Sequence, residues 1–218
     1  MKSKSKHLIQ RGFTLIEMLI VMAIIVILAT LVISAYSYVE TTKREKSAEQ
    51  ITTRVSQALE EYHRDFGIYP YGTEAQFNSK STKAMTEADG SEYSSNVIYK
   101  ALYGDYLDKG VPAKKAHIYY EELEPSKEAS ATTLVTPINV RDKQGKQRTI
   151  HIMRDPWGEP YRYTLGFGQS LPNKPTETGK GVNPDFDFWS LGKDSEEDQA
   201  NPHDPTNEDN IGNQPKAR

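Results

Sequence analysis

The hydrophobic residues of this chain are distributed very unevenly. A run of 22 residues from Met18 to Val39 contains no Asp, Glu, Lys or Arg, and no Gly or Pro. As an α-helix such a run spans about 33 Å, which is close to the thickness of the hydrocarbon core of a bilayer. A helix also satisfies its backbone hydrogen bonds internally, as lipid requires. The pattern therefore predicts a membrane-spanning helix, since a core helix of a soluble protein is rarely apolar on every face.

Beyond Val39 the pattern becomes that of an amphipathic helix. Between Lys43 and Phe66, apolar side chains recur at steps of three or four residues, and charged side chains occupy most of the other positions. Neither Gly nor Pro occurs from Phe13 to Phe66, so we expect one continuous helix that Gly67 ends. Its second half would pack on a head domain through the apolar stripe, which consists of Ala48, Ile51, Val55, Leu59, Tyr62 and Phe66.

The rest of the chain predicts a small head of loops, short helices and strands. Residues 71–96 are rich in Ser, Thr, Lys, Glu and Gly and predict a surface loop with a short helix at residues 82–87. A second short helix is expected at residues 96–107, and a strand is expected to begin at residues 119–120. Further strands are predicted at residues 134–140, 149–153, 161–165 and 186–191, the first two joined by a turn at residues 142–146.

Composition narrows the class of protein. Only 36% of the 218 residues are hydrophobic, and much of that share lies in the apolar run, which excludes a protein with several large buried cores. The absence of cysteine excludes disulfides, thiolate metal sites and a cysteine nucleophile. A formal net charge of -3 gives no reason to expect nucleic-acid binding. No phosphate loop, zinc-binding helix or serine nucleophile motif is present, so we do not expect an enzyme.

A basic segment precedes the apolar run. Lys2, Lys4, Lys6 and Arg11 give it four positive charges, and it has no negative one. The positive-inside tendency places this end in the cytoplasm and the rest of the chain outside. An ordinary secretory signal peptide is the main alternative. It needs small residues in an A-x-A-like arrangement after the apolar region, and residues 33–35 (Ile-Ser-Ala) match that arrangement poorly.

A short motif lies between the basic segment and the apolar run. Residues 11–17 read Arg-Gly-Phe-Thr-Leu-Ile-Glu, and Glu17 is a carboxylate at the edge of a membrane helix, where an ionisable group is costly without a partner. The motif resembles the prepilin signal shared by type IV pilins and type II secretion pseudopilins. This resemblance implies cleavage after Gly12 by a prepilin peptidase and methylation of the new amino terminus at Phe13. It also implies that Glu17 pairs with the amino terminus of a neighbouring subunit during filament assembly.

Segments near the other end of the chain point to the same family. Residues 155–163 (Asp-Pro-Trp-Gly-Glu-Pro-Tyr-Arg-Tyr) predict a tight turn that leads into a strand. Together with residues 187–194 and 210–213, they resemble the C-terminal sheet of the major pseudopilin of type II secretion. The resemblance covers residues 8–70 and 150–213. It implies an α+β, type IV pilin-like fold in which the long helix packs on a small antiparallel sheet.

The acidic C-terminal segment suggests a metal site. Residues 185–209 contain nine Asp or Glu residues and one Lys, and calcium takes many oxygen ligands in irregular geometry. The resemblance implies one structural calcium ion here. Two departures from the family pattern stand against it: the loop is longer and lacks the Gly-rich character, and Asn210 replaces an Asp. A solvated acidic tail without metal is the alternative. The candidate ligands are Asp194, Glu208, Asp209, Asn210 and the backbone carbonyl of Leu191.

The expected organisation divides the chain into six parts. The N-terminal parts are a cleaved leader, a transmembrane and filament-core helix, and an amphipathic helix. A variable region of loops and short helices follows, then a sheet with the acidic calcium loop, and then a tail. Their bounds are 1–12, 13–39, 40–67, 68–150, 151–213 and 214–218.

The resemblance implies that the chain is the major pseudopilin, a structural subunit of a type II secretion pseudopilus that drives export of folded proteins across the outer membrane. The implied partners are further copies of the chain in a helical filament, minor pseudopilins, an inner-membrane assembly platform and the prepilin peptidase. The chain would first be a single-pass inner-membrane protein with a cytoplasmic N-terminus and a periplasmic head. It would then become part of the periplasmic pseudopilus.

Three alternative functions stay open. A type IV pilin is disfavoured because the chain lacks the cysteines that close the C-terminal loop in many members of that group. A minor pseudopilin stays open because residues 73–150 are a larger insertion than we expect in the major subunit. A membrane-anchored periplasmic binding module, sorted by the prepilin pathway, would use the same insertion to bind a ligand or partner.

Overall fold

The structure, a computed structural model, shows a long N-terminal helix followed by a head of short elements. The chain divides into two compact units, Met1–Lys43 and Arg44–Arg218. Three expected features, the leader, the short helix at residues 82–87 and the turn at residues 142–146, lie outside the described residues. The structure describes residues 13–71, 93–125, 133–141, 147–171, 174–198, 201 and 204–214.

Helix α1 spans Leu15–Phe66 without interruption, as the absence of Gly and Pro predicts. Every large hydrophobic side chain from Phe13 to Val39 is at least 43% exposed. By length and composition the helix can cross a membrane. It ends at Gly67, which has a φ of 71° and donates its N–H to the carbonyl of His63 at 2.7 Å.

The first element described after α1 is helix α2, Ser95–Tyr103. It ends four residues before the predicted position, because Gly104 has a φ of 78° and caps the helix through the carbonyl of Lys100 at 3.0 Å. The strand expected at residues 119–120 is absent from the described chain. Both N–H groups there donate to the carbonyl of Leu102, at 2.8 and 3.3 Å, and a 3₁₀ turn at Glu121–Leu123 follows.

Seven strands in the described residues form three antiparallel sheets, where one small sheet was expected. The pairs are β1 (Val135–Arg141) with β2 (Gln147–Met153), β4 (Ser170–Leu171) with β5 (Lys174–Thr178), and β3 (Arg162–Leu165) with β6 (Phe186–Ser190), which also pairs with β7 (Ile211–Gly212). The sequence predicts β1, β2, β3 and β6 to within two residues, although β1 and part of β2 lie in the region expected to hold loops and short helices. It does not predict β4, β5 and β7, because β4 and β7 are two residues long and β5 is polar.

One core unites the second half of α1 with the sheets of the head. Val55 and Leu59 are fully buried, and Tyr62 is 2% exposed, so the predicted stripe does pack on the head. The stripe ends before its predicted last member, since Phe66 is 52% exposed. The α+β architecture predicted from the sequence is therefore confirmed, with a core rich in tyrosine. Tyr163, for example, is fully buried and donates its hydroxyl to the carbonyl of Pro70 at 2.9 Å.

Candidate functional site

The start of α1 is built around Thr14 and Glu17. Thr14 Oγ1 accepts the N–H of Glu17 at 3.3 Å, while Glu17 Oε2 accepts both the N–H and the hydroxyl of Thr14 at 2.8 Å. This reciprocal arrangement is a capping box, which satisfies donors that a helix start otherwise leaves unpaired. The carboxylate is thereby folded back on the first turn, in an exposed position.

The structure describes one of the two residues that flank the predicted cleavage point. Gly12 lies outside the described residues. Phe13 is the first described residue, and its side chain is 77% exposed. Phe13, Thr14 and Glu17 therefore form one exposed polar and aromatic end next to the apolar first half of α1.

Asp155 is the centre of the predicted Asp-Pro-Trp-Gly turn. The residue is 2% exposed, and its Oδ1 accepts the N–H groups of Trp157 and Glu159, both at 2.9 Å. The backbone closes the same turn, because Gly158 donates its N–H to the carbonyl of Asp155 at 3.0 Å. Gly158 has a φ of 98°, which side chains rarely allow. The turn thus requires an acceptor side chain at residue 155 and a residue that tolerates positive φ at residue 158.

Ser190 joins this turn to the C-terminal loop. Its Oγ donates to Asp155 Oδ2 at 2.5 Å and accepts the N–H of Gly192 at 3.0 Å. Burial raises the pKa of Asp155, while the hydrogen bonds from Ser190 and from the turn act in the opposite direction. Residues 155–163 and 187–194, which the sequence singles out separately, therefore meet at this buried contact as well as in the pairing of β3 with β6.

Residues 210–213 complete the central sheet. Gly212 lies opposite Trp189, and a Cβ at this position would stand 2.2 Å from the carbonyl oxygen of Phe188. Asn213 accepts the N–H of Phe188 with Oδ1 and donates Nδ2 to the carbonyl of Phe186, both at 2.7 Å. Its side chain thus supplies the two bonds that a strand backbone would supply.

The two arms of the predicted calcium loop lie against each other. Asp209 Oδ2 accepts the N–H groups of Lys193 and Asp194, at 2.7 and 3.1 Å. Gly192 approaches so closely that a Cβ on it would lie 2.3 Å from the carbonyl oxygen of Asp209. Two of the predicted ligands, Asp194 and Asp209, are therefore brought together by their own loop.

The other predicted ligands offer oxygens of different kinds. Asn210 is 5% exposed, and its Oδ1 is buried without a hydrogen-bond partner. Leu191 is 3% exposed, whereas Glu208 is exposed to solvent. Across the described ranges, no three His, Asp or Glu side chains are grouped as metal ligands. Carboxylates, an orphaned amide oxygen and backbone carbonyls are nevertheless a donor set that calcium accepts.

Asn207 organises the same loop, although no sequence pattern pointed to it. Its Oδ1 accepts the N–H of Asp198, and its Nδ2 donates to the carbonyls of Asp198 and Asn201, all at 3.0 Å. The Oδ1 also accepts Nδ2 of Asn210 at 3.1 Å. A single Asn in a long polar run gives no signal of such a role, because the run itself predicts solvent exposure.

A largely buried ion pair fixes the beginning of the loop. Arg162 Nε lies 3.0 Å from Glu197 Oε1, and the two side chains are 11% and 15% exposed. Trp189 donates Nε1 to the other oxygen of Glu197 at 3.3 Å. Glu197 is therefore a structural partner within the acidic segment. In the sequence, the only hint of this ion pair is Arg162, a charged residue between Tyr161 and Tyr163 in a predicted strand. A charge in such a position needs a partner when it is buried.

Comparisons with known proteins identify the N-terminal motif and three relatives. The family described as "Prokaryotic N-terminal methylation motif" matches residues 9–33. The type IV major pilin protein PilE1 of Neisseria gonorrhoeae is 31% identical over 120 residues, which cover 51% of this chain and 52% of PilE1. The fimbrial protein EcpC of Eikenella corrodens is 31% identical over 111 residues, 49% of this chain and 71% of EcpC. The type IV major pilin protein PilE of Neisseria gonorrhoeae is 30% identical over 121 residues, 54% of this chain and 71% of PilE.

The extent of these matches differs between the relatives. The chain spans about half the length of PilE1 and more than two thirds of EcpC and PilE. No solved structure matches the chain.

Proposed function

The chain belongs to the type IV pilin-like superfamily, and from this premise we propose that it is a structural subunit that forms filaments. Its apolar N-terminal helix and its prepilin-type motif indicate a single-pass membrane anchor. The observation that carries the proposal is the exposed apolar surface of α1 that follows Glu17, from Met18 to Val39. Such a surface needs either lipid or other helices to cover it, and copies of the same helix in a filament cover one another. This role uses no catalytic chemistry.

The N-terminal geometry supports a specific assembly step. In this proposal a prepilin peptidase cuts after Gly12, and Phe13 becomes the methylated amino terminus. A carboxylate and an ammonium group each cost several kcal/mol when they are buried alone, and pairing recovers much of that cost. Glu17 uses only Oε2 for its bonds to Thr14 within the described chain, so Oε1 can accept a neighbour's amino group while the capping box stays intact.

The first candidate for the filament is the type II secretion pseudopilus. Support comes from the segments that resemble the major pseudopilin, since Asp155 and Ser190 link the turn to the C-terminal loop and Asn213 completes the sheet. In this proposal the subunit starts in the inner membrane with its head in the periplasm. Its partners are other copies, minor pseudopilins, the inner-membrane assembly platform and the prepilin peptidase, and the fibre acts on folded proteins to be secreted.

A type IV pilus is the second candidate. The names of the relatives favour it, because two are type IV major pilin proteins and the third is a fimbrial protein. The two candidates share the membrane anchor, the cleavage step and the pairing of Glu17. They differ in location, since the pseudopilus is periplasmic and a pilus is on the cell surface. They also differ in what fails without assembly, which is protein secretion for the pseudopilus and the formation of surface pili for the pilus.

One experiment tests the function and separates the candidates. Glu17→Ala is introduced in the host, with Glu17→Asp as the control that keeps the charge, and subunit level in the membrane fraction is measured alongside. We expect Glu17→Ala to insert normally and to abolish filaments. Loss of extracellular enzyme activity then supports the pseudopilus, and loss of surface pili supports the pilus. Normal filaments from Glu17→Ala would contradict the proposed assembly step.

We also propose one structural calcium ion in the acidic loop, held by Asp194, Glu208, Asp209, Asn210 and the carbonyl of Leu191. The orphaned Oδ1 of Asn210 is the observation that supports it. Bound cation would raise the melting temperature of the head, as any ligand of the native state does. The test compares melting of the purified chain with calcium and with chelator. Asn210→Asp should tighten calcium binding by about tenfold, because it adds a charged ligand. If chelation changes the melting temperature of neither the unmodified chain nor Asn210→Asp, the ion is ruled out.

A further inference from the structure

Two tyrosines lie at the end of the apolar run that is farther from the leader. Tyr36 and Tyr38 are in its last turn, and their side chains are 70% and 75% exposed. Val39, the last residue of the run, is 62% exposed. Tyrosine is enriched where a membrane helix leaves the hydrocarbon, because its ring is apolar and its hydroxyl is polar. This end of the run therefore matches the boundary between hydrocarbon and lipid headgroups.

Helix α1 continues past this boundary without a break, so the residues that follow Val39 have a limited depth range. At about 1.5 Å per residue, Lys43 stands at most about 6 Å beyond Val39 along the helix axis, and Lys46 at most about 10 Å. The headgroup layer on each side of a bilayer is about 5–7 Å thick. A lysine side chain can bend along the helix toward a charged partner, so both ammonium groups can lie in this layer.

The two lysines share one face of α1 with part of the apolar run. Four residues recur there at steps of three, four and three, which is the spacing of one helix face: Tyr36, Val39, Lys43 and Lys46. Both lysines are exposed. The stripe that packs on the head begins at Ala48, which is fully buried, and it lies on the opposite side of the helix. This face of α1 therefore changes from apolar to aromatic to basic within three turns.

The attraction of this segment for an anion is local. Residues 40–46 contain three basic residues and two glutamates, which gives a net charge of +1, so the segment is not a polybasic patch. Glu45 lies one or two residues from the lysines and so does not share their face. Glu40 is half-buried and already has a partner within the described chain. The two exposed ammonium groups therefore form the basic part of the site.

We propose that Lys43 and Lys46 bind the headgroup of an anionic phospholipid in the leaflet farther from the leader, with Tyr36 against the same lipid. Side chains three residues apart on a helix begin about 5–6 Å from each other, so both ammonium groups can donate to the oxygens of one phosphate. A lipid such as phosphatidylglycerol fits this pair better than a zwitterionic lipid, because the cationic group of a zwitterionic headgroup repels the lysines.

This inference rests on the membrane anchor of the proposed function and adds a lipid ligand to it. A lipid bound at this turn fixes the depth of α1 in the bilayer before the subunit joins a filament. The same lipid must be released when the subunit leaves the membrane.

The lipid preference of the purified full chain tests the proposal. The chain is placed in phosphatidylcholine vesicles, and its association with spin-labelled phosphatidylglycerol is compared with that of spin-labelled phosphatidylcholine. Lys43→Gln with Lys46→Gln removes both ammonium groups, and Lys114→Gln with Lys115→Gln is the matched control at two exposed lysines of the head. We expect the first pair to lower the preference for phosphatidylglycerol by about twofold or more, and the control pair to leave it unchanged. The leader contributes equally to all three chains, so equal preferences would overturn the proposal.

Photocross-linking locates the bound lipid. A phosphatidylglycerol analogue with a photoreactive group beside its headgroup is added to the same vesicles, and the labelled peptides are identified by mass spectrometry. We expect label within residues 36–46 of the unmodified chain, and several-fold less in the variant with Lys43→Gln and Lys46→Gln. Both lysines are exposed, so this variant should insert normally, which is checked by its recovery with the vesicles. Label on the leader alone would contradict the proposed site.

The lipid site and the proposed function fail in different ways. If the chain enters the vesicles but shows no preference that depends on the two lysines, the site is wrong and the anchor stands. If the preference is present but Glu17→Ala forms normal filaments, the assembly step is wrong and the site stands. A chain that does not enter the vesicles would contradict the anchor and the site together.

Discussion

The hydroxyl of Ser190 donates a 2.5 Å hydrogen bond to the carboxylate of Asp155, across 35 residues of sequence. Ser190 is fully buried and Asp155 is 2% exposed. The contact joins the turn before β3 to the end of β6, where the acidic loop begins. It therefore adds a buried side-chain bond to the strand pairing that holds the C-terminal segments of the head together.

Removing the hydroxyl of Ser190 should destabilise the head. Ser190→Ala leaves Asp155 Oδ2 without its donor and the N–H of Gly192 without its acceptor. We expect a loss of about 2 kcal/mol in the free energy of unfolding, measured on the purified chain by denaturant titration. Ser170→Ala, at an exposed serine in β4, should change it by less than about 0.5 kcal/mol. Equal effects of both substitutions would contradict the role of Ser190.

Two glycines with positive φ should respond differently to alanine. Gly158 has a φ of 98° with nothing near its missing Cβ, whereas Gly192 has a φ of 72° and the carbonyl oxygen of Asp209 only 2.3 Å from that position. Gly158→Ala should cost about 1 kcal/mol through backbone strain alone. Gly192→Ala should cost about 3 kcal/mol or more, because the acidic loop must also move. Thermal unfolding of both variants measures the two losses of stability. A smaller loss for Gly192→Ala than for Gly158→Ala would be inconsistent with the close packing of Gly192 on Asp209.

Asp108 should make stability depend on pH. Burial by itself would raise the pKa of Asp108, but the neighbouring His151, whose backbone N–H donates to Asp108 Oδ1, and the ammonium of Lys100 outweigh it and hold the pKa below its usual value. Ionised Asp108 therefore stabilises the folded state fully above the ordinary aspartate pKa of about 3.9. This stabilisation is lost as the pH falls through the lower pKa of the folded state.

Asp108→Asn is the matched substitution, because Asn tolerates the φ of 53° and removes the charge, while its Oδ1 can still accept from Asn96 and His151. We expect a loss of about 3 kcal/mol at pH 7, since Lys100 is left largely buried without its partner. The difference from the unmodified chain should shrink below about pH 4. Melting curves from pH 3 to 7 measure it, and a difference that stays constant over this range would refute the assignment.

The capping box at the start of α1 should matter for assembly. Thr14→Val keeps the shape of the side chain but removes the hydroxyl that bonds to Glu17, whereas Thr14→Ser keeps the hydroxyl. We expect Thr14→Val to loosen the first turn and lower the amount of filament, and Thr14→Ser to do neither. Backbone chemical shifts of residues 14–18 in micelles report the helix start. Identical shifts for both variants would show that the box is not needed.

Strong local patterns made the long helix and four of the strands predictable. The apolar run, the three-to-four-residue stripe and the closing Gly67 each point to α1 without reference to the rest of the chain. The turn of residues 155–163 was predictable for the same reason, since Pro and Gly restrict the backbone locally. Its bond to Ser190 was not predictable, because periodicity carries no information about which distant segments meet.

The head also contains residues whose role depends on distant partners. The sequence extends α2 to residue 107 because Tyr106 and Leu107 continue its apolar period, but Gly104 ends the helix and Asp105 captures the following N–H groups. In the acidic segment, nine carboxylates look equivalent in sequence. Only the fold distinguishes Glu197, paired with Arg162, from those that remain exposed.

The core of the head includes residues that precede Gly67. Val55, Leu59 and Tyr62 belong to α1, yet they are buried with the sheets in the unit that begins at Arg44. A head cut free after Gly67 would therefore lack one wall of its interior. A hybrid that joins this head to another anchor would therefore need its junction before these buried residues, inside the helix and not at its end.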